Sequence, residues 1–171
     1  MGTRGPLRSS LRCTVGSPMS SWASFERDAP EFGSAGRRLL VGADGVAIAF
    51  LATVGRDGSP HLSPVCPIFS GENLYLSAGG RTPKAADLRD SGGYVLHGFL
   101  GADDEEFQIA GRAVYVSDAA EREQVHRAIA FGSFDVTDPI FLLSIDRALW
   151  VYWERVGQPG TKAIRRRWSR P

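Results

Sequence analysis

The sequence predicts a small antiparallel β-barrel with helices at its periphery, a mainly β fold. Three observations lead there. Six segments have the length and composition of strands, and most are joined by hairpin-type turns. Helical patterning is confined to two or three short stretches. No GxGxxG or P-loop motif is present, and strands do not alternate regularly with helices, which argues against a doubly wound nucleotide-binding sheet. At 171 residues the chain suits one domain whose single core needs no staples.

The elements follow in order. Ser20 or Ser21 can cap a first helix whose apolar marks are Trp22 and Phe25. Asp28-Ala-Pro30 restarts or extends helix through Leu39 and Leu40, and Gly42 to Gly45 breaks it. Val46 to Val54 is a near-continuous apolar run bounded by glycines, which predicts a strand buried on both faces. Gly55-Arg-Asp57-Gly58-Ser59 is a hairpin signal, since Asp-Gly supplies positive φ. Pro60 to Phe69 returns as a strand with His61, Ser63 and Val65 on one face and Leu62, Pro64 and Cys66 on the other. Pro64 and Pro67 cannot donate to a ladder, so this strand lies at an edge, is bulged, or bends at a barrel corner.

After the Ser70-Gly-Glu-Asn73 turn, Leu74 to Ser77 alternates as a half-buried strand does. Gly93 to Phe99 and Glu106 to Val116 are further strands, the second interrupted at Gly111. Between them Asp103 to Glu106 reads as a solvated acidic turn. Asp118 and Glu121 have capping-box spacing for a helix running to about Phe131. Ile140 to Trp153 is the last strand region, with a turn placed near Asp146, and the remainder reads as a tail.

The chemistry concentrates in the stretch from Leu74 to Asp90. Gly79 and Gly80 end a strand, and Pro83 suits the first turn of a helix. The loop offers a hydroxyl (Ser77 or Thr82), the Arg81 guanidinium, the Lys84 ammonium and free amides at the helix start. Such a junction is suited to an anion, particularly a phosphate monoester. The plain alternative is a solvated basic turn.

Composition narrows the classes. A formal charge of +1 argues against nucleic-acid and membrane-surface partners. Residues 1–18 hold Arg4, Arg8 and Arg12 with no acid, and Arg165 to Arg167 form a second basic run that reads as part of a solvated tail. Cys13 and Cys66 form no CxxC pair, which points to a reduced, cytoplasmic protein. No apolar run has the length of a membrane span. Residues 1–18 lack the apolar core of a secretory signal and are expected to be a disordered tail or a mis-assigned start, leaving 19–171 as the folded domain. His61, His97 and His126 are too scattered for a metal-ligand motif, and no nucleophile–base constellation stands out.

Four motifs stand in an informative order. They are Phe50-Leu-Ala-Thr-Val54, Arg56-Asp-Gly-Ser-Pro-His-Leu-Ser-Pro-Val65, Arg81-Thr-Pro-Lys-Ala-Ala-Asp-Leu-Arg-Asp90 and Phe107-Gln-Ile-Ala-Gly-Arg-Ala113. In order and spacing they resemble the pyridoxamine 5'-phosphate oxidase-like family, over roughly residues 40–120. The resemblance implies a six-stranded antiparallel split β-barrel of the FMN-binding type, with FMN or a deazaflavin coenzyme in a groove between two subunits. It implies that Arg81, Thr82 and Lys84 hold the cofactor phosphate, with Ser77 preceding them. His61, Ser63 and Val65 would line the flavin ring, and Gln108 would reach it. Trp168 and Arg170 resemble a C-terminal pair that closes the site from the neighbouring subunit.

The departures concern activity. The true oxidases carry an arginine where Ser63 stands, and the C-terminal Arg-x-His element that grips the pyridoxal substrate is absent. Pyridoxamine phosphate oxidation is therefore not expected. The expected function is an FMN-binding oxidoreductase, a homodimer passing hydride or electrons to a small organic acceptor, with no side chain nominated as proton donor. One alternative is a deazaflavin-dependent reductase, in which Arg37, Arg38 and the C-terminal arginines would meet a polyanionic tail. The other is a non-enzymatic flavin- or haem-binding protein, with His61 or His97 as an axial ligand.

Overall fold

Pro64 and Pro67 flank the corner at which the sheet turns back on itself. The structure is a computed structural model that describes residues 20–41, 45–130, 132 and 134–171. The expectations for residues 1–18, for Cys13 and for part of the Gly42 to Gly45 break lie outside them. β1 (Ala49–Val54) pairs antiparallel with β2 (Pro60–Val65). The Gly55–Ser59 turn joins them, with Gly58 at φ 84° as Asp-Gly predicts. After Cys66 alone, the chain enters β3 (Pro67–Ser70), which pairs with β4 (Asn73–Ser77).

The remaining strands are β5 (Gly93–Gly98), β6 (Glu106–Tyr115), β7 (Ile140–Glu154) and β8 (Lys162–Ser169). Their hydrogen-bonded order is β2-β1-β5-β6-β7-β4-β3, with β8 on β7. The two ends of that path, β2 and β3, are consecutive in the chain and are joined at the Cys66 corner. The described residues form eight strands, not six. One addition is the division of Pro60 to Phe69 at Cys66; the other is β8, which lies where the sequence suggested only a tail.

Long strands allow one segment to serve two neighbours. β7 gives Ile140 to Leu142 to β4 and Arg147 to Glu154 to β8, while β6 follows it on the other side. The turn expected near Asp146 is a β-bulge: Ala110 faces Arg147, Gly111 faces Ile145, and Asp146 is the extra residue. Gly111 is required there, because a Cβ would lie 1.9 Å from the Ser144 carbonyl oxygen.

Among the described residues four α-helices cover the barrel: α1 (Trp22–Asp28), α2 (Pro30–Leu40), α3 (Pro83–Asp90) and α4 (Ala119–Arg127). Ser21 caps α1, accepting from the Ser24 amide at 3.0 Å. Trp22 and Phe25 are fully buried against the inward-facing Leu51, Leu96, Ile109 and Leu143, each such side chain contributing about 1.5–3 kcal/mol on removal from water. Asp118 caps α4, accepting from the Glu121 amide at 2.8 Å. The reciprocal half of the capping box is not made, because Glu121 accepts from the Tyr75 hydroxyl instead at 2.9 Å. α4 ends at Arg127, short of Phe131. No described helix is long and apolar enough to cross a membrane.

Three further expectations are corrected. β1 is buried on one face only: Ala49, Leu51 and Thr53 point inward, whereas Phe50, Ala52 and Val54 keep exposure because no described helix covers their side of this antiparallel sheet. β4 is the reverse case, with Leu74, Tyr75 and Leu76 all buried because α4 closes its second face. The acidic turn is only partly solvated: Glu105 accepts from Arg38 on α2 at 2.8 Å and from the Trp150 indole at 2.7 Å.

Candidate functional site

The expected phosphate loop forms at the start of α3. β4 delivers the chain to Gly79 and Gly80, and Thr82 becomes the N-cap of α3 with Pro83 in its first turn. The Thr82 hydroxyl donates to the Gly79 carbonyl at 2.7 Å and accepts weakly from the Ala85 amide at 3.4 Å. Its proton is therefore committed to closing the turn. The first turn contains no acid. Arg81 is exposed and Lys84 half-buried, and neither has an ion-pair partner among the described residues. An oxyanion already meets this loop: Asp138 Oδ1 accepts from the Gly80 amide at 3.1 Å. Ser77, half-buried at the end of β4, stands opposite Ile140.

His61, Ser63 and Val65 share a face as the alternation predicts, and that face turns toward α3. Val65 is part of the core, and Ser63 is half-buried. His61 Nδ1 lies 2.7 Å from Asp87 Oδ2, and Thr53 Oγ1 donates to the same oxygen at 2.6 Å. Burial alone would raise the Asp87 carboxyl, but hydrogen bonds from His61 and Thr53 outweigh it and hold the group below its ordinary value. Together the three side chains tie α3 to the β1–β2 hairpin. Asp87 is the functional neighbour that sequence reasoning missed. The signal was an acid on the buried face of a short helix, which only the β2 register connects to His61.

The remaining expected residues lie on another part of the sheet. Gln108 stands between His97 and Leu149 on the outer face. It lines a cavity of about 520 Å³ whose walls include Val95, Ala110, Leu149, Arg147 and Arg167. Trp168 also borders this cavity, but its ring packs edge-on against Phe25 at 4.9 Å, so it also builds core. Arg170 pairs with Asp146 at 3.3 Å. The expected site residues thus form two groups, one around α3 and one on the outer face of β5–β8.

An antiparallel sheet whose two end strands are joined at a one-residue corner, with a cationic loop opening a short helix beside it, defines a split β-barrel protein. The profile described as pyridoxamine 5'-phosphate oxidase matches residues 44–140, more than half the sequence, and the chain belongs to that family. No curated protein matches it. Among solved structures it is similar to a Clostridium acetobutylicum protein related to general stress protein 26, of the pyridoxinephosphate oxidase family. That likeness has 13% identity and a TM-score of 0.53, covering 84% of this chain and 94% of that one. It is also similar to a single-residue variant of HupZ from Group A Streptococcus, with 16% identity, a TM-score of 0.56 and coverage of 67% and 94%. A haem-binding protein from Mycobacterium smegmatis matches at 19% identity and a TM-score of 0.49, covering 68% of this chain and about half, 52%, of that one. At these identities the two likenesses with TM-scores above 0.5 speak for the fold alone.

Proposed function

We propose that the protein is a homodimeric flavoprotein that binds FMN non-covalently and passes hydride or electrons to a small organic acceptor. The observation that carries this reading is the pair Arg81 and Lys84, two cations without ion pairs among the described residues at the N-terminus of α3, in a loop that already binds the Asp138 carboxylate. A phosphate dianion fits that chemistry better than a carboxylate does, because it gains from the helix dipole and from two charge-assisted donors. Arg81 and Lys84 would hold the phosphate, with Thr82 keeping the turn in shape and Ser77 beside it. FMN, when bound, supplies the redox chemistry; the protein binds it, orients it and keeps water from it.

The dimer accounts for the division of the site. Phe50 and Phe99 pack at 4.8 Å on the outside of the sheet, and Leu62 beside them is 69% exposed. An apolar face of this kind is suited to a second copy of the chain. Pairing there would let Gln108 of one subunit meet a flavin held by α3 of the other. For the polyanionic tail of a deazaflavin, Arg37 is taken up by Glu26 and Arg38 by Glu105, which leaves that reading to Arg165 and Arg167 of the C-terminal arginines. A haem reading draws on His97, whose Nδ1 lies 2.6 Å from the Gly98 carbonyl oxygen, which leaves Nε2 as the nitrogen for a metal.

The test is the absorbance and mass spectrum of the small molecule that copurifies with the full chain. FMN supports the proposal. A Soret band with no flavin would replace it by the haem reading, and a protein that takes up neither FMN nor a deazaflavin on titration would remove the redox function.

A further inference from the structure

The outer face of the sheet carries more positive charge than a phosphate held at α3 explains. Arg147 on β7 stands opposite Ser169, and Arg167 on β8 stands opposite Leu149. The two arginines are therefore diagonal neighbours on one face, about 7–8 Å apart at Cα. Arg165 follows on the same face, opposite Val151. Neither Arg147 nor Arg167 has an ion pair among the described residues. The acids nearest in register are Glu106, which also stands opposite Val151, and Asp146, which Arg170 holds. Like charges placed this way repel, and packing does not require them. Beside them is the apolar floor of Val95, Ala110 and Leu149, with Gln108 as its neutral polar group, in the cavity of about 520 Å³.

We infer that this cavity binds a flat, conjugated organic acid, with its rings on Val95, Ala110 and Leu149 and its carboxylate gripped by Arg147 and Arg167. The volume falls in the range of small-ligand sites, which are mostly apolar with a few placed polar groups. Guanidinium groups bind carboxylates in a bidentate fork and stack on conjugated systems, so two of them beside an apolar floor select for both properties together. Gln108 can donate to or accept from a ring substituent. The inference rests on the flavoprotein reading, in which this acid is the acceptor; Arg147 and Arg167 then determine specificity and Arg81 and Lys84 serve the cofactor.

The test uses the full chain and two fluorescent probes, anthracene-2-carboxylate and its uncharged amide. The wild-type protein should bind the acid at least about tenfold more tightly than the amide. The Arg147→Gln, Arg167→Gln double variant should lose that preference while keeping the amide affinity within about twofold, which also shows that it is folded. Ala110→Trp, which fills the cavity, should weaken both probes. No acid preference in the wild type, a preference surviving in the double variant, or undiminished binding to Ala110→Trp would each overturn the inference. FMN titration of the same proteins separates it from the reading beneath it. Unchanged FMN affinity in the double variant is expected, whereas a loss of about tenfold would assign the arginines to the flavin and overturn the inference. Failure of the wild type to bind FMN would sink the flavoprotein reading alone, since the acid preference is read without flavin.

Discussion

His61 Nδ1 and Asp87 Oδ2 lie 2.7 Å apart, joining strand β2 to the middle of α3. Thr53 donates to the same carboxylate, whose side chain is only 6% exposed. This contact fixes the helix whose first turn presents Thr82 and Lys84. It also makes His61 a tether between β2 and α3.

Replacing Asp87 by Ala leaves Thr53 and His61 without their acceptor and should cost about 1–3 kcal/mol at neutral pH, measured by urea unfolding. Because the folded carboxyl lies below its ordinary value of 3.8, its contribution is present above that pH and is lost as pH falls through the lower folded value. The gap between wild type and Asp87→Ala should therefore close in strong acid. A gap that persists there would mean that packing, not the carboxylate, is responsible.

Gly111→Ala should be among the most damaging single-atom additions available. The new Cβ would meet the Ser144 carbonyl oxygen at the bulge, and the two longest strands would have to separate. A loss of about 3 kcal/mol or more, or insoluble protein, is expected. A thermal melt within a degree or two of wild type would show that the bulge relaxes easily.

Leu62→Glu places a charge on the exposed apolar face without touching the core. Under the dimer proposal it should shift the protein to monomer in size-exclusion chromatography with light scattering, and should weaken FMN binding while the thermal melt of the monomer is kept. An unshifted elution would remove this face from the interface.

Asp138 competes with any phosphate for the Gly80 amide. Asp138→Asn removes that charge and should tighten FMN several-fold, about 1 kcal/mol or less, in an equilibrium titration. Weaker binding would mean that Asp138 shapes the loop more than it repels the ligand.

Much of the barrel was legible because hairpin turns, prolines and capping residues act locally. Asp57-Gly58, the Pro64 and Pro67 pair, Ser21 and Asp118 each enforced what their chemistry predicts. β8 was hidden because arginine masks alternation. Ile164, Arg166 and Trp168 fall on one face, and Arg166 lays its stem inward, its guanidinium 5.8 Å from the Phe32 and Trp150 ring centroids. The loop residues Arg81, Thr82 and Lys84 were readable in sequence because they are contiguous. The outer-face set of Gln108, Arg147 and Arg167 was not, since only the β6–β7–β8 register brings those positions together.

Arg81 and Lys84 are proposed to hold a phosphate. The most direct measurement compares FMN with riboflavin, which differs only by that phosphate, in a fluorescence titration of wild type and of the Arg81→Ala, Lys84→Ala double variant. The wild type should prefer FMN by at least about tenfold, and the double variant should bind the two alike, with an unchanged thermal melt. Equal affinity of the wild type for FMN and riboflavin would contradict the proposal.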